Sequence, residues 1–226
     1  MNILIVGGTS GLGREIGALF RKKDASVYIT GRSEKAVSED LHFLRFDVED
    51  DAALLTMDVD TLVSVLPPID VLVYAAGFVE QGHITELSDA HIVTTANVGI
   101  VAPALIVKRL LQNSASLAGL IAITSTSQWR PREQEPMYAA TKAGLAMLAQ
   151  SLSLDPRIKK TLVVGPAGMR TPFWAHSDRD ARDLLSPHWV AERILELWDA
   201  PYSYRLARIL RDPVPEEDRV QVLETR

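Results

Sequence analysis

The chain has 226 residues, a formal net charge of −5 at pH 7 and no cysteine. This length is sufficient for one large α/β domain with a buried core. The acidic balance argues against nucleic acid or an anionic membrane as the main partner. The absence of cysteine excludes disulfides, thiol nucleophiles and cysteine-based zinc sites, and it fits a reducing compartment.

The apolar segments are too short for a membrane protein. The longest uncharged apolar stretch, around residues 99–107, falls far short of the about 18 residues that a membrane-spanning helix needs. The N-terminus carries neither a basic stretch nor the apolar run of a signal peptide. We therefore expect a soluble cytoplasmic protein.

Short apolar runs alternate with longer amphipathic segments along the whole chain. A run that is continuously apolar indicates a strand covered on both faces, as in a parallel sheet. The predicted strands are Ile3–Val6, Val27–Ile29, Leu41–Phe46, Val71–Tyr74, Leu120–Ile123 and Leu162–Val164, with Tyr202–Leu210 as a candidate seventh.

The segments between these strands have the apolar spacing of helices. The predicted helices are one after Leu12, one over Leu54–Leu66, two long ones over Val93–Leu111 and Tyr138–Leu154, and one over Pro187–Trp198. This alternation predicts an α/β fold, a doubly wound Rossmann-type three-layer sandwich whose mostly parallel sheet has seven or six strands. We expect a single domain over residues 1–226, with a tail from Asp212 that frays because it is rich in proline and glutamate.

A glycine-rich turn, Gly7-Gly-Thr-Ser-Gly11-Leu-Gly13, follows the first strand and leads into the first helix. Glycines there let the backbone turn sharply and approach a ligand, while the helix N-terminus directs N–H groups at an anion. The spacing differs from Gly-x-Gly-x-x-Gly, and a plain strand-to-helix turn is the alternative. Its place in the first βα unit favours dinucleotide binding, with Thr9 and Ser10 as hydroxyl donors to the pyrophosphate.

The end of the second strand indicates which dinucleotide binds. An NAD site places an acid there to bind the adenosine ribose, whereas this chain has Gly31 and Arg32. Gly31 removes the acid that would repel a 2′-phosphate, and the guanidinium of Arg32 can bind one, with Arg14 as a second charge. The sequence therefore predicts NADP, although Arg32 could also be a solvated surface residue. Asp47 after the third strand can meet the adenine edge or cap a loop.

Tyr138 and Lys142 are four residues apart on a predicted helix and so share one face. A phenol is a poor proton donor near neutral pH, and an adjacent ammonium favours its phenolate. Ser125, thirteen positions upstream of Tyr138, could hold a substrate oxygen against that phenol. Taken alone, the pair could also be an ordinary helix face.

Together these features resemble the short-chain dehydrogenase/reductase family in its compact form. The resemblance covers about residues 1–171 and rests on motifs in the family's order and spacing: the glycine turn, Asp47, Asp70–Gly77, Asn97, Ser125, Tyr138 with Lys142, and Pro166–Thr171.

The resemblance implies a Ser-Tyr-Lys catalytic set. In it, Tyr138 is the general acid for carbonyl reduction or the base for alcohol oxidation. Lys142 lowers the pKa of that phenol and binds the nicotinamide ribose, while Ser125 orients the substrate carbonyl. Asn97 helps to hold a water beside Lys142. The implied function is NADP-dependent oxidoreduction of a carbonyl or secondary alcohol of a small organic molecule, and the alternative is a catalytically silent NADP-binding sensor.

The glycine turn and the resemblance together define an expected NADP(H) site. Its predicted residues are Gly7, Thr9, Ser10, Gly11, Leu12, Gly13, Arg14, Arg32, Ser33, Asp47, Val48, Ala75, Ala76, Gly77, Tyr138, Lys142, Pro166, Ala167 and Thr171.

Residues 172–187 correspond to the family's substrate lid. Phe173 and Trp174 could line an apolar pocket there or simply pack under the lid, and Trp129 is the loop residue that we most expect to touch substrate. The histidines lack metal-ligand spacing, so no metal is expected. The family usually pairs the two long helices across a two-fold axis, which implies a homo-oligomer, a dimer or a tetramer.

Several positions depart from the family pattern. Val6 replaces a threonine at the start of the glycine turn, and Tyr74 and Ala75 replace a pair of asparagines whose side chains stabilise the sheet. Ala167 replaces a glycine after Pro166. None of these positions carries the proton-transfer group, so they leave the predicted catalysis intact.

Overall fold

The structure is a computed structural model that describes residues 1–34, 40–48, 51–174 and 184–226, and of Trp174 only the backbone. Its described residues form one eight-stranded sheet in the order β3-β2-β1-β4-β5-β6-β7-β8. The strands are β1 Asn2–Val6, β2 Ser26–Gly31, β3 His42–Arg45, β4 Val71–Tyr74, β5 Gly119–Ile123, β6 Thr161–Pro166, β7 Tyr204–Ile209 and β8 Val220–Thr225.

Strands β1 to β7 all pair with one another in parallel. The strand order reverses direction between β1 and β4, which pair side by side in the middle of the sheet. In an open parallel sheet, ligands bind in the crevice at such a switch point, outside the carboxyl ends of the strands. The predicted doubly wound Rossmann-type fold is confirmed.

Helices cover both faces of the sheet. They are α1 Gly11–Arg21, α2 Ala52–Ser64, α3 Asp89–Ala96, α4 Ala102–Asn113, α5 Pro136–Leu152 and α6 Pro187–Asp199. In β1, Ile3 and Ile5 pack with α1 and α6, whereas Leu4 and Val6 pack with α2, α4 and α5. Alternate side chains of one strand thus enter two separate cores, which is why Ile3–Val6 is apolar at every position.

The segment after Asp212 differs from its prediction. It contains a short 3₁₀ turn, Glu216–Asp218, and then β8, which pairs antiparallel with β7 from Ile209↔Val220 to Arg205↔Thr225. The expected frayed tail is therefore wrong, and the sheet has one strand more than the seven predicted. The prolines and most of the acidic residues lie in the connection, and the edge strand mixes polar with apolar residues and is partly exposed, a weaker signal than a buried run.

One continuous helical segment, Asp89–Asn113, is long and apolar enough by length and composition alone to cross a bilayer. Within the fold it is a core helix, because Ala102, Ile106, Val107 and Leu110 are buried against the sheet. The segment joins α3 to α4 through a π-helical turn, Asn97–Val101, which the sequence did not predict.

Candidate active site

A cleft of about 470 Å³ lies at the carboxyl edge of the sheet, within the size range of small-molecule and cofactor sites. Many of the predicted site residues line it: Gly7, Thr9, Ser10, Gly11, Leu12, Gly13, Arg32, Asp47, Val48, Ala75, Ala76, Gly77, Ser125, Tyr138, Lys142, Pro166, Ala167, Thr171 and Phe173. The cleft therefore runs from the end of β2 to the N-terminal part of α5.

The glycine turn forms one wall of the cleft, and its conformation requires glycine. Gly7 and Gly11 have φ angles of 84° and 54°, a region that residues with a Cβ rarely adopt. A Cβ at Gly13 would lie 2.3 Å from the carbonyl oxygen of Gly7. Ser10, the N-cap of α1, makes no side-chain hydrogen bond to the helix. The turn is thus a backbone cradle at a helix N-terminus, which fits a pyrophosphate.

Thr30 in β2 makes hydrogen bonds to this turn. The family pattern has a threonine for this purpose at the position of Val6. Thr30 Oγ1 accepts a hydrogen bond from the backbone N–H of Gly7 at 3.3 Å, and the Thr30 carbonyl accepts one from Gly8 at 3.0 Å. Thr30 is buried in β2. Its hydroxyl therefore takes the place of the one that β1 lacks at Val6.

The adenosine end of the cleft lies at the end of β2. A Cβ at Gly31 would lie 2.4 Å from Thr9 Oγ1, so an acid at this position would displace the Thr9 side chain. The side chains of Arg32 and Asp47 are exposed and line the cleft. Asp47 Oδ1 accepts from the N–H of Val48 at 3.0 Å, a loop-capping bond that leaves the other carboxylate oxygen for a ligand.

Lys142 and Tyr138 lie together at the opposite end, both buried on α5. The Lys142 Nζ is 5.7 Å from the centroid of the Tyr138 ring. It donates to the carbonyl oxygen of Ile123, the last residue of β5, at 3.2 Å and to that of Ala76 at 3.3 Å. Burial lowers the pKa of Lys142 to about 8. The amine is therefore mainly an ammonium at neutral pH, held by backbone dipoles at the sheet edge.

Ser125 lies just beyond β5, where it is buried. Its Oγ accepts a hydrogen bond from the N–H of Ser127 at 3.1 Å and so caps the 3₁₀ turn Thr126–Trp129. This bond fixes the side chain but uses only a lone pair, so the hydroxyl hydrogen can be donated to a substrate oxygen.

The segment after β6 crosses the cleft between these two ends. The methyl group of Thr171 lies 3.1 Å from the position of a Cβ on Gly11. The Phe173 ring lies 5.8 Å from the Tyr138 ring, centroid to centroid, and 3.3 Å from the position of a Cβ on Gly77. Phe173 is therefore an apolar wall beside the phenol.

Other predicted site residues lie elsewhere. The side chains of Arg14 and Ser33 are exposed and do not line the cleft. Asn97 is buried in the π turn, also outside the lining. Trp129 does not line the cleft either; its ring packs on β6, where a Cβ at Gly165 would lie 2.7 Å from it, and its contact with substrate stays a prediction.

The predicted lid, residues 172–187, is only partly described. Pro172–Trp174 forms a 3₁₀ turn, whereas residues 175–183 lie outside the described residues, and so does the side chain of Trp174. The prediction for Trp174 therefore stays a prediction.

The sequence analysis missed several lining residues, among them Phe46, Phe78, Thr94, Val98, Thr124, Gly168 and Met169. Thr124 directly follows a predicted strand and could have been found from that position, because the carboxyl ends of parallel strands face one edge of the sheet. Within the described part of the chain, no three histidine or acidic side chains come together as a metal site would require.

Comparison with protein families gives a match over most of the chain. The family model described as short chain dehydrogenase matches residues 1–182. This range contains the glycine turn, Ser125, Tyr138, Lys142 and the segment after β6.

Individual relatives agree with that match. The chain is 23% identical to an uncharacterized oxidoreductase of Staphylococcus epidermidis over 221 residues, which cover 93% of this chain and 96% of that one. A short-chain dehydrogenase from Sphingobium yanoikuyae in complex with NADPH superimposes with a TM-score of 0.73 at 20% identity, over 88% of this chain and 84% of that one. A 4-hydroxyisoleucine dehydrogenase complexed with NADH gives a TM-score of 0.76 at 19% identity, over 92% and 96%.

Proposed function

Because the chain belongs to the short-chain dehydrogenase family of oxidoreductases, we propose that it reduces the carbonyl group of a small organic molecule with NADPH, or oxidises the corresponding secondary alcohol with NADP⁺. The observation that carries the proposal is the meeting of Ser125, Tyr138 and Lys142 at one end of a cleft whose other end is a glycine cradle.

In the direction of reduction, Tyr138 donates its phenolic proton to the carbonyl oxygen. Ser125 donates a hydrogen bond to the same oxygen, which orients the carbonyl and stabilises the negative charge that develops on it. Both groups are buried, so this charge forms where little water competes for the hydrogen bonds.

Lys142 provides the positive charge that favours the phenolate left on Tyr138 after proton donation. Two of the three N–H donors of its ammonium are directed at the carbonyls of Ala76 and Ile123. The third remains for a ribose hydroxyl of the cofactor.

The cradle and the segment after β6 fit a nicotinamide dinucleotide. Gly7–Gly13 would hold the pyrophosphate, and Thr171 with the backbone after Pro166 would bind the carboxamide. The bound nicotinamide supplies or accepts the hydride, which is the cofactor's own chemistry.

The adenosine end favours NADP over NAD. Gly31 leaves no room for the acid that an NAD site uses, because Thr9 occupies the space of a side chain there. Arg32 lines the same end of the cleft and offers a guanidinium to a 2′-phosphate. The similar structures contain NADPH in one case and NADH in another, so the preference is argued from these residues alone.

We also propose a cytoplasmic homo-oligomer. The lack of cysteine fits a reducing compartment. Ile100 and Val101 at the π turn and Met147 on α5 are exposed apolar side chains on the helices that the family usually pairs across a two-fold axis.

The test is to follow NADPH absorbance with a panel of ketones, aldehydes and quinones, and NADP⁺ reduction with secondary alcohols. NADH and NAD⁺ are run in parallel. The proposal expects turnover of at least one compound, with NADPH preferred. NADPH binding without turnover of any compound in either direction would instead indicate a silent sensor.

A further inference from the structure

Tyr74, the last residue of β4, makes a hydrogen bond that links the sheet to the π turn. Its ring is fully buried, and its Oη donates to the backbone carbonyl of Val98 at 2.5 Å. Burial raises the pKa of Tyr74 far above its usual value, so the hydroxyl keeps its proton. The bond joins residues that are 24 positions apart in the sequence.

The Val98 carbonyl depends on this donor because of the local helix geometry. In an α-helix it would accept from the N–H of Ala102, but that N–H donates to Asn97, five residues back. In a π-helix it would accept from residue 103, which is Pro103 and has no N–H. Tyr74 therefore supplies the hydrogen bond that neither helical register provides, and it satisfies a buried carbonyl.

The π turn in turn packs directly on α5. A Cβ at Gly99 would lie 2.4 Å from the Cβ of Thr141, so the two helices touch backbone to side chain. Thr141 Oγ1 donates to the carbonyl of Tyr138 at 3.0 Å. The position of the π turn is thus coupled to the helical turn that carries Tyr138 and Lys142.

We propose that Tyr74 is a positioning residue: its hydroxyl, acting where Pro103 removes the helical donor, holds the π turn that contains Asn97 in the form that packs on the turn of α5 carrying Tyr138 and Lys142. This inference rests on the proposed carbonyl reduction. Tyr74 itself does not line the cleft, so its effect on catalysis runs through the backbone of the turn.

The test is Tyr74→Phe, which removes only the hydroxyl. We expect kcat for carbonyl reduction to fall about tenfold, as the loss of one buried hydrogen bond allows. The KM for the carbonyl and the Kd for NADPH should change less than about twofold, because Tyr74 itself does not line the cleft and the change removes only its hydroxyl. The solvent deuterium isotope effect on kcat should rise, because proton supply becomes slower.

Tyr204→Phe is the matched control. Tyr204 is also a buried tyrosine, on β7, and it does not line the cleft. Its kcat and isotope effect should equal those of the wild type. An unchanged kcat and isotope effect in Tyr74→Phe, or an equal fall in the control, would overturn the inference.

A double-mutant cycle with Asn97→Ala tests the route through the turn. If Tyr74 acts through Asn97, the double variant should have the kcat of Asn97→Ala alone. If the fold-decrease in kcat of the double variant is the product of the fold-decreases of the two single variants, the inference is contradicted.

Hydrogen exchange in the free protein tests the structural role of Tyr74 without any enzymatic activity, so its result does not depend on the proposed function. Tyr74→Phe should speed exchange of the amides in residues 97–102, and Tyr204→Phe should not. If Tyr138→Phe shows the proposed function to be wrong, this local effect still decides whether Tyr74 holds the turn. If Tyr138→Phe loses turnover as proposed, the proposed function stands. Unchanged hydrogen exchange in residues 97–102 and an unchanged kcat in Tyr74→Phe would then overturn only the inference about Tyr74.

Discussion

The ammonium of Lys142 lies 5.7 Å from the centroid of the Tyr138 ring and is anchored by backbone carbonyls at the ends of two neighbouring strands. Backbone groups at the edge of the sheet, rather than flexible side chains, thus fix the position of the Lys142 charge beside the Tyr138 phenol. Burial of this ammonium lowers the pKa of Lys142, and two pH effects follow from the lowered pKa.

The first effect concerns activity. Since burial lowers the pKa of Lys142 to about 8, the free enzyme loses the positive charge beside Tyr138 as the pH rises through this value. We expect kcat/KM for carbonyl reduction to be constant near pH 7 and to fall above about pH 8. The measurement is a pH profile of kcat/KM for NADPH oxidation, and a profile flat to pH 10 would be inconsistent with this role.

The second effect concerns stability. The pKa of Lys142 is about 8 in the folded protein and near 10.5 in the unfolded chain, so the unfolded state binds more protons between these values and the free energy of unfolding rises with pH. Relative to Lys142→Met, the wild type should gain about 2 kcal/mol between pH 7 and 9.5.

Urea unfolding of both proteins at each pH measures this difference. Lys108→Met, which removes an exposed lysine from α4, is the control and should show no such trend. The difference in the free energy of unfolding between the wild type and Lys142→Met should increase with pH. A difference that stays constant would argue against a buried ammonium.

Arg32 should determine the cofactor preference. We expect Arg32→Ala to raise the Kd for NADPH about 10- to 100-fold, because a charge-assisted hydrogen bond to the 2′-phosphate is lost. The Kd for NADH should stay within about twofold. Lys108→Ala removes the same charge from the exposed face of α4 and should affect neither Kd. Titration of each cofactor by fluorescence measures these values, and equal losses for both cofactors would refute the assignment.

Gly13 should be essential to the cradle. A Cβ there would lie 2.3 Å from the backbone oxygen of Gly7, and backbone cannot rotate away as a side chain can. We expect Gly13→Ala to weaken NADPH binding more than about tenfold and to lower the melting temperature.

Gly17→Ala is the matched control for Gly13→Ala, because it changes a buried glycine one turn further along α1. Its Cβ would meet side chains only, the nearest being the flexible end of Ile5 at 3.3 Å. NADPH binding should be kept in this variant. Equal binding by Gly13→Ala and Gly17→Ala would show that the cradle tolerates a side chain.

Those parts of the fold that depend on local pattern could be predicted from the sequence. Strands such as Ile3–Val6 are covered on both faces, so their apolar runs predict a parallel sheet. The edge strand Val220–Thr225 escaped prediction because it is half exposed and follows an acidic, proline-containing segment.

The site could be predicted where it depends on short spacings, as with Tyr138 and Lys142 on one helix. The Tyr74–Val98 bond could not, because it joins residues 24 positions apart through a π turn that the apolar spacing of the helix does not reveal. The packing of Trp129 could not be predicted either, because its ring fills the space that Gly165 leaves open on β6.

The central claim, that the Tyr138 phenol is the proton donor, is tested most directly by single-turnover carbonyl reduction in Tyr138→Phe. This change removes only the hydroxyl and keeps the ring that packs on Phe173. We predict that the variant binds NADPH as the wild type does but oxidises it at least about a thousandfold more slowly in the presence of the carbonyl. A Tyr138→Phe protein that oxidises NADPH at the wild-type rate would contradict the account.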